Sequence, residues 1–455
     1  MDPRIVPRSE HSISRKQIDS EALTVLYRLH RHGKIAYLVG GGVRDLLLGI
    51  RPKDFDVATD ARPGEVKRLF RNSWIVGRRF RLVHVVFGKK VVEVATFRAK
   101  AEIDPSMGRG KQPEGSVKTR RGPAEKNPEP GSESARRHML VTWENTFGTP
   151  EQDARRRDLT INALFYDIGT YSLIDYVGGL TDLGDQVIRT VGDPNVRFQE
   201  DPVRMMRAVK FAARLGFHLD PATESAIRRH AGAITLSARP RVLEEIYRLL
   251  GSGKATASFQ LLETTGLLPH LFPEVMASLG ADGGMFWAHL REMDEQVVQG
   301  AEAVSRPVLM ATLLYHLVRD LLETRQRETG PVSERVEAVI RPLAARLRLT
   351  RADTARIIQI LASQRRFLQP RGRRISISAF VRRGYFPDAF QLLRIHAAAT
   401  GELADVVQAW TDRVRSAGGG VILNPTQVEG GRGAVPRRAR RRRRRKSKSR
   451  GAGTS

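Results

Sequence analysis

The run Leu38-Val39-Gly40-Gly41-Gly42-Val43-Arg44-Asp45-Leu46-Leu47-Leu48-Gly49, followed closely by Asp54-Phe55-Asp56, decides the reading of this chain. An apolar run ends in three glycines, a basic residue and a leucine cluster follow, and then comes an Asp-x-Asp. The pattern predicts a strand over 35–39, a short helix over 43–48 and a second strand over 54–57. Residues two apart on a strand share a face, so Asp54 and Asp56 present two carboxylates side by side while Phe55 turns into the core. Neighbouring carboxylates repel unless a cation lies between them. Hard oxygen ligands of this kind suit Mg²⁺ or Mn²⁺. The glycines let backbone approach phosphate oxygens at Gly41 and Gly42, and Arg44 adds charge there. Together these parts describe a site for a metal-bound nucleoside triphosphate.

Two further motifs follow in order. In Arg155-Arg156-Arg157-Asp158-Leu159-Thr160-Ile161-Asn162 a helix would place Asp158 and Asn162 on one face at i and i+4. A helix cap amid surface charges is the competing reading. In Arg197-Phe198-Gln199-Glu200-Asp201-Pro202-Val203-Arg204-Met205-Met206-Arg207-Ala208-Val209-Lys210, Pro202 suits a first helical position and Asp201 the N-cap. Arg204, Arg207 and Lys210 then form one basic ridge, with Met205, Met206 and Val209 on the core side. Between these motifs and the first, Val91 to Arg98 reads as a third strand. Its alternation puts Glu93 on a face where it could join the aspartates, the alternative being a solvated ion-pair partner.

The ordered set resembles the head of the DNA polymerase β-like nucleotidyltransferases. More narrowly it resembles class II, which holds bacterial tRNA CCA-adding enzymes and bacterial poly(A) polymerases. The resemblance is specific from about residue 18 to 275 and looser to about 415. It implies an α+β fold: a mixed-sheet head, an all-helical neck and body, and a disordered basic tail. The segment Gly77-Arg78-Arg79-Phe80-Arg81-Leu82-Val83-His84 resembles the poly(A) polymerase branch in particular. The resemblance further implies that Asp54, Asp56 and Asp158 are catalytic carboxylates, with metal on Asp54 and Asp56. Arg157 would contact the triphosphate, with Asn162 also at the nucleotide. Asp201 and Arg204 would read the base, and Arg207 and Lys210 would reach base or phosphates. The implied activity is addition of AMP from ATP to RNA 3′ ends. CCA addition to tRNA is the first alternative, and an inactive RNA-binding protein the second. RNA-decay or RNA-chaperone proteins are implied partners, and a monomer is expected.

Composition agrees with a polyanionic partner. The 455 residues carry a net charge of +28. Twelve of those charges lie between Arg432 and Arg450, which leaves +16 for the rest. The chain has no cysteine, which excludes disulfides and thiolate metal sites and accords with a reducing cytoplasm. It has no apolar run long enough to span a membrane. The expected divisions are a polar segment over 1–17, a head over 18–180, a neck over 181–275, a helical body over 276–415 and a tail over 416–455. Residues 99–147 are too poor in aliphatic side chains to order themselves and read as a disordered insertion.

From Asp220 onward the pattern is helical, with segments over 221–232, 238–251, 255–266, 284–299, 305–324, 332–348, 351–366, 375–383 and 386–399. Arg239, Arg241, Arg248, Arg365, Arg366, Arg371, Arg373 and Arg374 scatter charge that could track an RNA backbone. His316 lies on an apolar helix and reads as a core residue. The absence of any His-Asp dipeptide argues against an appended metal-phosphohydrolase module.

Overall fold

The computed structural model describes residues 2–77, 81–99, 147–300, 304–323, 330–368 and 377–416. Its N-terminal part is built on a mixed sheet of β1 (Arg4–Val6), β2 (Ala36–Val39), β3 (Asp56–Thr59), β4 (Ser73–Val76), β5 (Leu82–Phe87), β6 (Lys90–Thr96), β7 (Leu164–Asp167) and β8 (Ser172–Asp175). The spatial order is β1-β8-β7-β2-β3-β6-β5-β4. The β3–β6 pair is parallel and the others are antiparallel. Strand β2 lies near the centre because Ala36, Leu38 and Val39 are all buried, so both of its faces are covered.

Alternation assigns the two faces. Leu38, Val57, Val83, Val85, Val92 and Val94 belong to the large core, which includes Leu26 and Leu29 of α1 (Ser20–Arg31). On the opposite face Val39, Ala58, Phe97 and Phe165 form a separate cluster. Helix α2 (Gly41–Leu47) follows β2, and α3 (Pro63–Leu69) follows β3. Helix α4 (Pro150–Arg156) covers the second face through Ala154. The chain leaves the sheet at Ala99 and returns at Phe147, joined by an Arg98–Phe147 bridge and a Gly148 N–H donated to the Phe97 carbonyl at 2.9 Å.

Past the sheet come α5 (Gly179–Gly184), α6 (Pro194–Glu200), α7 (Val203–Leu215), α8 (Pro221–His230) and α9 (Arg239–Leu250), then further helices as far as Ser416. Among the described residues no helix is long and apolar enough to cross a membrane.

Several expectations are corrected. Residues 4–6 are not a separate polar segment: β1 pairs with β8, and Val6 and Ile13 are buried. The helix expected over 284–299 runs from Pro273 to Gln299. Glycines in its first half lower propensity by about 1 kcal/mol each, but buried Val275, Phe286, Leu290 and Met293 hold it as one rod. A helix over Ala404–Ser416 was not foreseen. It docks through Trp410, whose ring lies edge-on to Phe367 and whose Nε1 donates to the Phe367 carbonyl at 3.3 Å. His316 packs edge-on against Phe286, with ring centroids 5.1 Å apart. The expectations for 100–146, for the tail beyond 416, and for Arg371, Arg373 and Arg374 lie outside the described residues.

Candidate active site

The three motifs meet around one end of β2. Val39 pairs with Asp56 on one side and with Phe165 on the other. The glycine turn therefore emerges between the Asp-x-Asp and the chain that leads into β7. Gly40 adopts φ +73°, and a Cβ there would come within 3.1 Å of Arg157 Nη1. A Cβ at Gly42 would sit 3.4 Å from the Asp54 carbonyl oxygen. These glycines permit a backbone geometry and a close approach that larger residues would strain. Helix α2 starts at Gly41, two residues earlier than the sequence pattern suggests.

Strand β3 starts at Asp56 rather than Asp54. The alternation still holds: Asp54 and Asp56 are exposed, with Phe55 buried between them. Asp56 is crowded on its protein side although it reaches solvent. Its carboxyl is pushed up to about 6, first by desolvation, then by the charges of Glu93 and Asp54, against the pull of Arg157. The parallel β3–β6 register, with Val57 opposite Val94, puts Glu93 beside Asp56. Glu93 Oε1 also lies 3.3 Å from His84 Nε2 on the neighbouring strand.

Arg44 does not lie open to a phosphate. The residue is only 1% exposed. Nε and Nη2 donate to Asp45 Oδ1 at 2.9 and 2.6 Å, and Nη1 donates to Asn162 Oδ1. Its guanidinium also stacks 4.7 Å from the Phe211 ring centroid. Burial lowers its pKa, opposed by Asp45.

Asp158 and Asn162 are not on a helix. Helix α4 ends at Arg156, Arg157 and Leu159 are extended, and a short 3₁₀ turn covers Thr160–Asn162. Helix gives way here because the backbone pairs elsewhere. Thr160 N–H donates to the Arg189 carbonyl at 3.0 Å, and Val191 N–H to the Asp158 carbonyl at 3.1 Å. The turn still brings Asn162 Nδ2 within 3.4 Å of Asp158 Oδ1. Asp158 Oδ2 accepts from Arg207 Nε at 2.6 Å. Burial acts to raise its carboxyl, but the Arg207 charge and hydrogen bonds outweigh it and hold it down to about 2. Arg157 donates to Asp153 Oδ2 from Nε at 3.2 Å and from Nη2 at 3.0 Å. It also lies 5.3 Å from the Phe165 ring centroid.

The basic ridge of α7 is neutralised by carboxylates. Arg204 donates to Glu200 at 3.1 Å, Arg207 to Asp158, and Lys210 to Glu245 at 2.7 Å. Asp201 precedes the helix rather than acting as its N-cap, a shift of one residue, yet its Oδ1 still accepts the Val203 N–H at 3.3 Å. Its carboxylate is held bidentately by Arg241 at 3.0 and 2.7 Å. Arg241 and Arg248 are therefore engaged with protein carboxylates, Arg248 with Glu245 at 2.9 Å. Arg239 donates to the Arg346 carbonyl. Arg366 lies over the Phe380 ring, and Arg365 is partly buried on the same helix.

Sequence reasoning missed the acceptors of these cations: Asp45, Asp153 and Glu245, which are buried, and Glu200, which is exposed. Asp153, four residues before Arg157, and Glu200, four before Arg204, carried a local spacing signal.

Among the described residues no group of three or more His, Cys, Asp or Glu side chains gathers into a complete metal cage. The donor set nevertheless suits a divalent cation. Two exposed carboxylates lie side by side with a third charge against them, and the Asp56 carboxyl is raised first by desolvation and then by the Glu93 and Asp54 charges, a crowding that a cation would relieve.

Three family models match consecutive parts of the chain: a poly A polymerase head domain over 36–189, a probable RNA- and SrmB-binding site of polymerase A over 216–279, and a polymerase A arginine-rich C-terminus over 326–447. Poly(A) polymerase I of Salmonella typhimurium is 37% identical, with 91% of this chain and 86% of the relative covered. The CCA-adding enzyme of Geobacillus stearothermophilus is 35% identical over 71% of this chain and 72% of its own length. The crystal structure of the Bacillus stearothermophilus CCA-adding enzyme in complex with CTP superposes with a TM-score of 0.59 at 28% identity, covering 88% of this chain and 83% of that one. The chain therefore belongs to the polymerase β-like nucleotidyltransferase family that includes poly(A) polymerase I and the CCA-adding enzymes.

Proposed function

We propose that this protein adds AMP from ATP to RNA 3′ ends without a template. The carrying observation is the meeting of Asp54 and Asp56, the glycine turn and Arg157 at the end of β2. Similarity to a poly(A) polymerase over 91% of the chain, including the arginine-rich C-terminus, favours adenylation over CCA addition.

Asp54 and Asp56 would hold Mg²⁺, with Glu93 as the nearest additional carboxylate. When bound, the metal would lower the pKa of the acceptor hydroxyl and offset charge on the departing pyrophosphate. The 3′ oxygen then bonds to the α-phosphorus as the bond to the pyrophosphate oxygen breaks. Arg157 stands beside the glycine turn, with Nε and Nη2 on Asp153 and Nη1 on the Asn162 carbonyl, where its charge would offset that of the triphosphate. Arg44 acts from beneath: its bonds to Asp45 and Asn162 fix the turn and the 158–162 segment together. Asp158 sets Arg207, and so the angle of α7 against the head. Asp201 and Arg204 offer an acceptor and donors to the adenine edge, with Arg241 and Glu200 as the partners they exchange for it.

CCA addition is the second reading, favoured by the 35% identical CCA-adding relative. Supplying an oligoadenylate or a tRNA lacking CCA, with ATP or CTP singly and together, separates the two. Long tails from ATP alone are expected, and addition of C, C and A followed by arrest would overturn the adenylation reading.

A further inference from the structure

Among the described residues, nothing covers the Asp56 face of the sheet at its β4 edge. Register runs a single row across it: Trp74 pairs with His84, His84 with Glu93, and Glu93 lies beside Asp56. Paired residues project to the same face, so Trp74, His84, Glu93 and Asp56 lie side by side. The opposite face of the same strands is filled by Val83, Val85, Val92 and Val94. Trp74 is 51% exposed, and Val76 and Val91 beside the row are exposed as well. At about 4.8 Å per strand, Trp74 stands about 14 Å from Asp56. Exposed Arg71 precedes β4 and exposed Arg81 precedes β5, so the hairpin carries positive charge at both ends.

An open sheet surface with an exposed aromatic, flanked by arginines, is suited to stacking unpaired bases while the backbone is held by charge. Its continuity with the carboxylates selects the occupant. A strand whose 3′ oxygen lies at Asp56 has its preceding nucleotides within reach of this row. The separation of about 14 Å equals about four rises of stacked bases. We propose that Trp74 is the stacking platform for the single-stranded 3′ segment of the RNA acceptor, a few nucleotides upstream of the reacting end. This rests on the reading above that the acceptor is RNA.

The test compares Trp74→Ala and Trp74→Phe with the full-length protein, after circular dichroism has verified that both fold. Binding of a trinucleotide and of a longer oligoadenylate is measured by anisotropy, and the acceptor KM by extension with ATP. Loss of one stacked base corresponds to roughly ten-fold weaker binding or more. Trp74→Ala should raise Kd and KM for the longer RNA by that factor, with the change in KM rather than kcat and little effect on the trinucleotide. Trp74→Phe should retain most of the affinity. Wild-type tryptophan fluorescence should be quenched by RNA more than that of Trp74→Phe. Equal affinity of wild type and Trp74→Ala for the longer RNA overturns the proposal. So does a Trp74 already shielded from acrylamide without RNA, which would mean that the face is closed to the acceptor. Concentration-dependent dimerisation abolished by Trp74→Ala would assign the face to a second copy and overturn it too. If no nucleotide is incorporated but RNA binding is still weakened by Trp74→Ala, the adenylation reading fails while this one stands.

Discussion

At the residue scale the carboxylates divide by environment. Asp54 and Asp56 are exposed and crowded by negative charge, whereas Asp158 is satisfied by protein donors. Replacing Asp54 or Asp56 with Ala should abolish incorporation of labelled ATP. Because the Asp56 carboxyl is raised in the native state, its ionised form disfavours folding without metal. Asp56→Ala should therefore melt no lower than wild type at neutral pH in EDTA. Asp158 has the opposite sign. Its native value of about 2 lies below the ordinary 3.8, so the stabilisation is complete above 3.8 and lost as pH falls through 2. The difference amounts to on the order of 2 kcal/mol. Denaturant unfolding of Asp158→Asn should show wild type more stable at pH 5, with the gap narrowing between pH 4 and 2. Asn162 and Asp158 were both legible in the sequence. Their contact was expected from helical spacing, but a 3₁₀ turn makes it, because residues 189–191 take the backbone partners a helix would have used.

At the element scale α7 is held by charges from three directions. Its Lys210 is 8% exposed and faces Glu245, 5% exposed, on α9. Burial lowers the Lys210 pKa, and Glu245 opposes that shift. Arg248 and, at 3.7 Å, Arg207 also reach Glu245. Removing one partner of a buried pair leaves an uncompensated charge and typically costs about 3–5 kcal/mol. Glu245→Ala should lose stability of that size in denaturant titration, and Glu245→Met with Lys210→Met should recover much of it. ATP KM should rise in the single variant if α7 carries base selection. The sequence displayed α7's cations as one ridge but could not display their partners, because Glu245 lies 35 residues from Lys210 and Asp158 lies 49 from Arg207.

At the scale of the whole molecule, charge is the dominant feature. A net +28, with twelve charges after residue 431, predicts RNA binding that weakens steeply with salt. Truncation after Ser416 should lower affinity for oligoadenylate and flatten the plot of log K against log salt. An unchanged slope would mean that the body alone neutralises the phosphates. Many arginines of the body cannot add to that slope as they stand. Arg241, Arg248, Arg306 and Arg356 are tied to Asp201, Glu245, Glu244 and Asp388.

The sequence by itself determined the local grammar of the head. Gly40 to Gly42 had to turn, Phe55 had to point inward between two carboxylates, and the helical periodicity beyond Asp220 had to bury one face. Each of these follows from steric limits or a two- or 3.6-residue period within a few positions of the chain. Only the tertiary structure decided which charges meet. It buried Arg44 under its own turn, gave Asp201 to Arg241, set Glu93 beside Asp56 and left Trp74 open on the same row. Those pairings depend on strand order and helix docking, and the side chains concerned are tens of residues or more apart, where no local period reports on them.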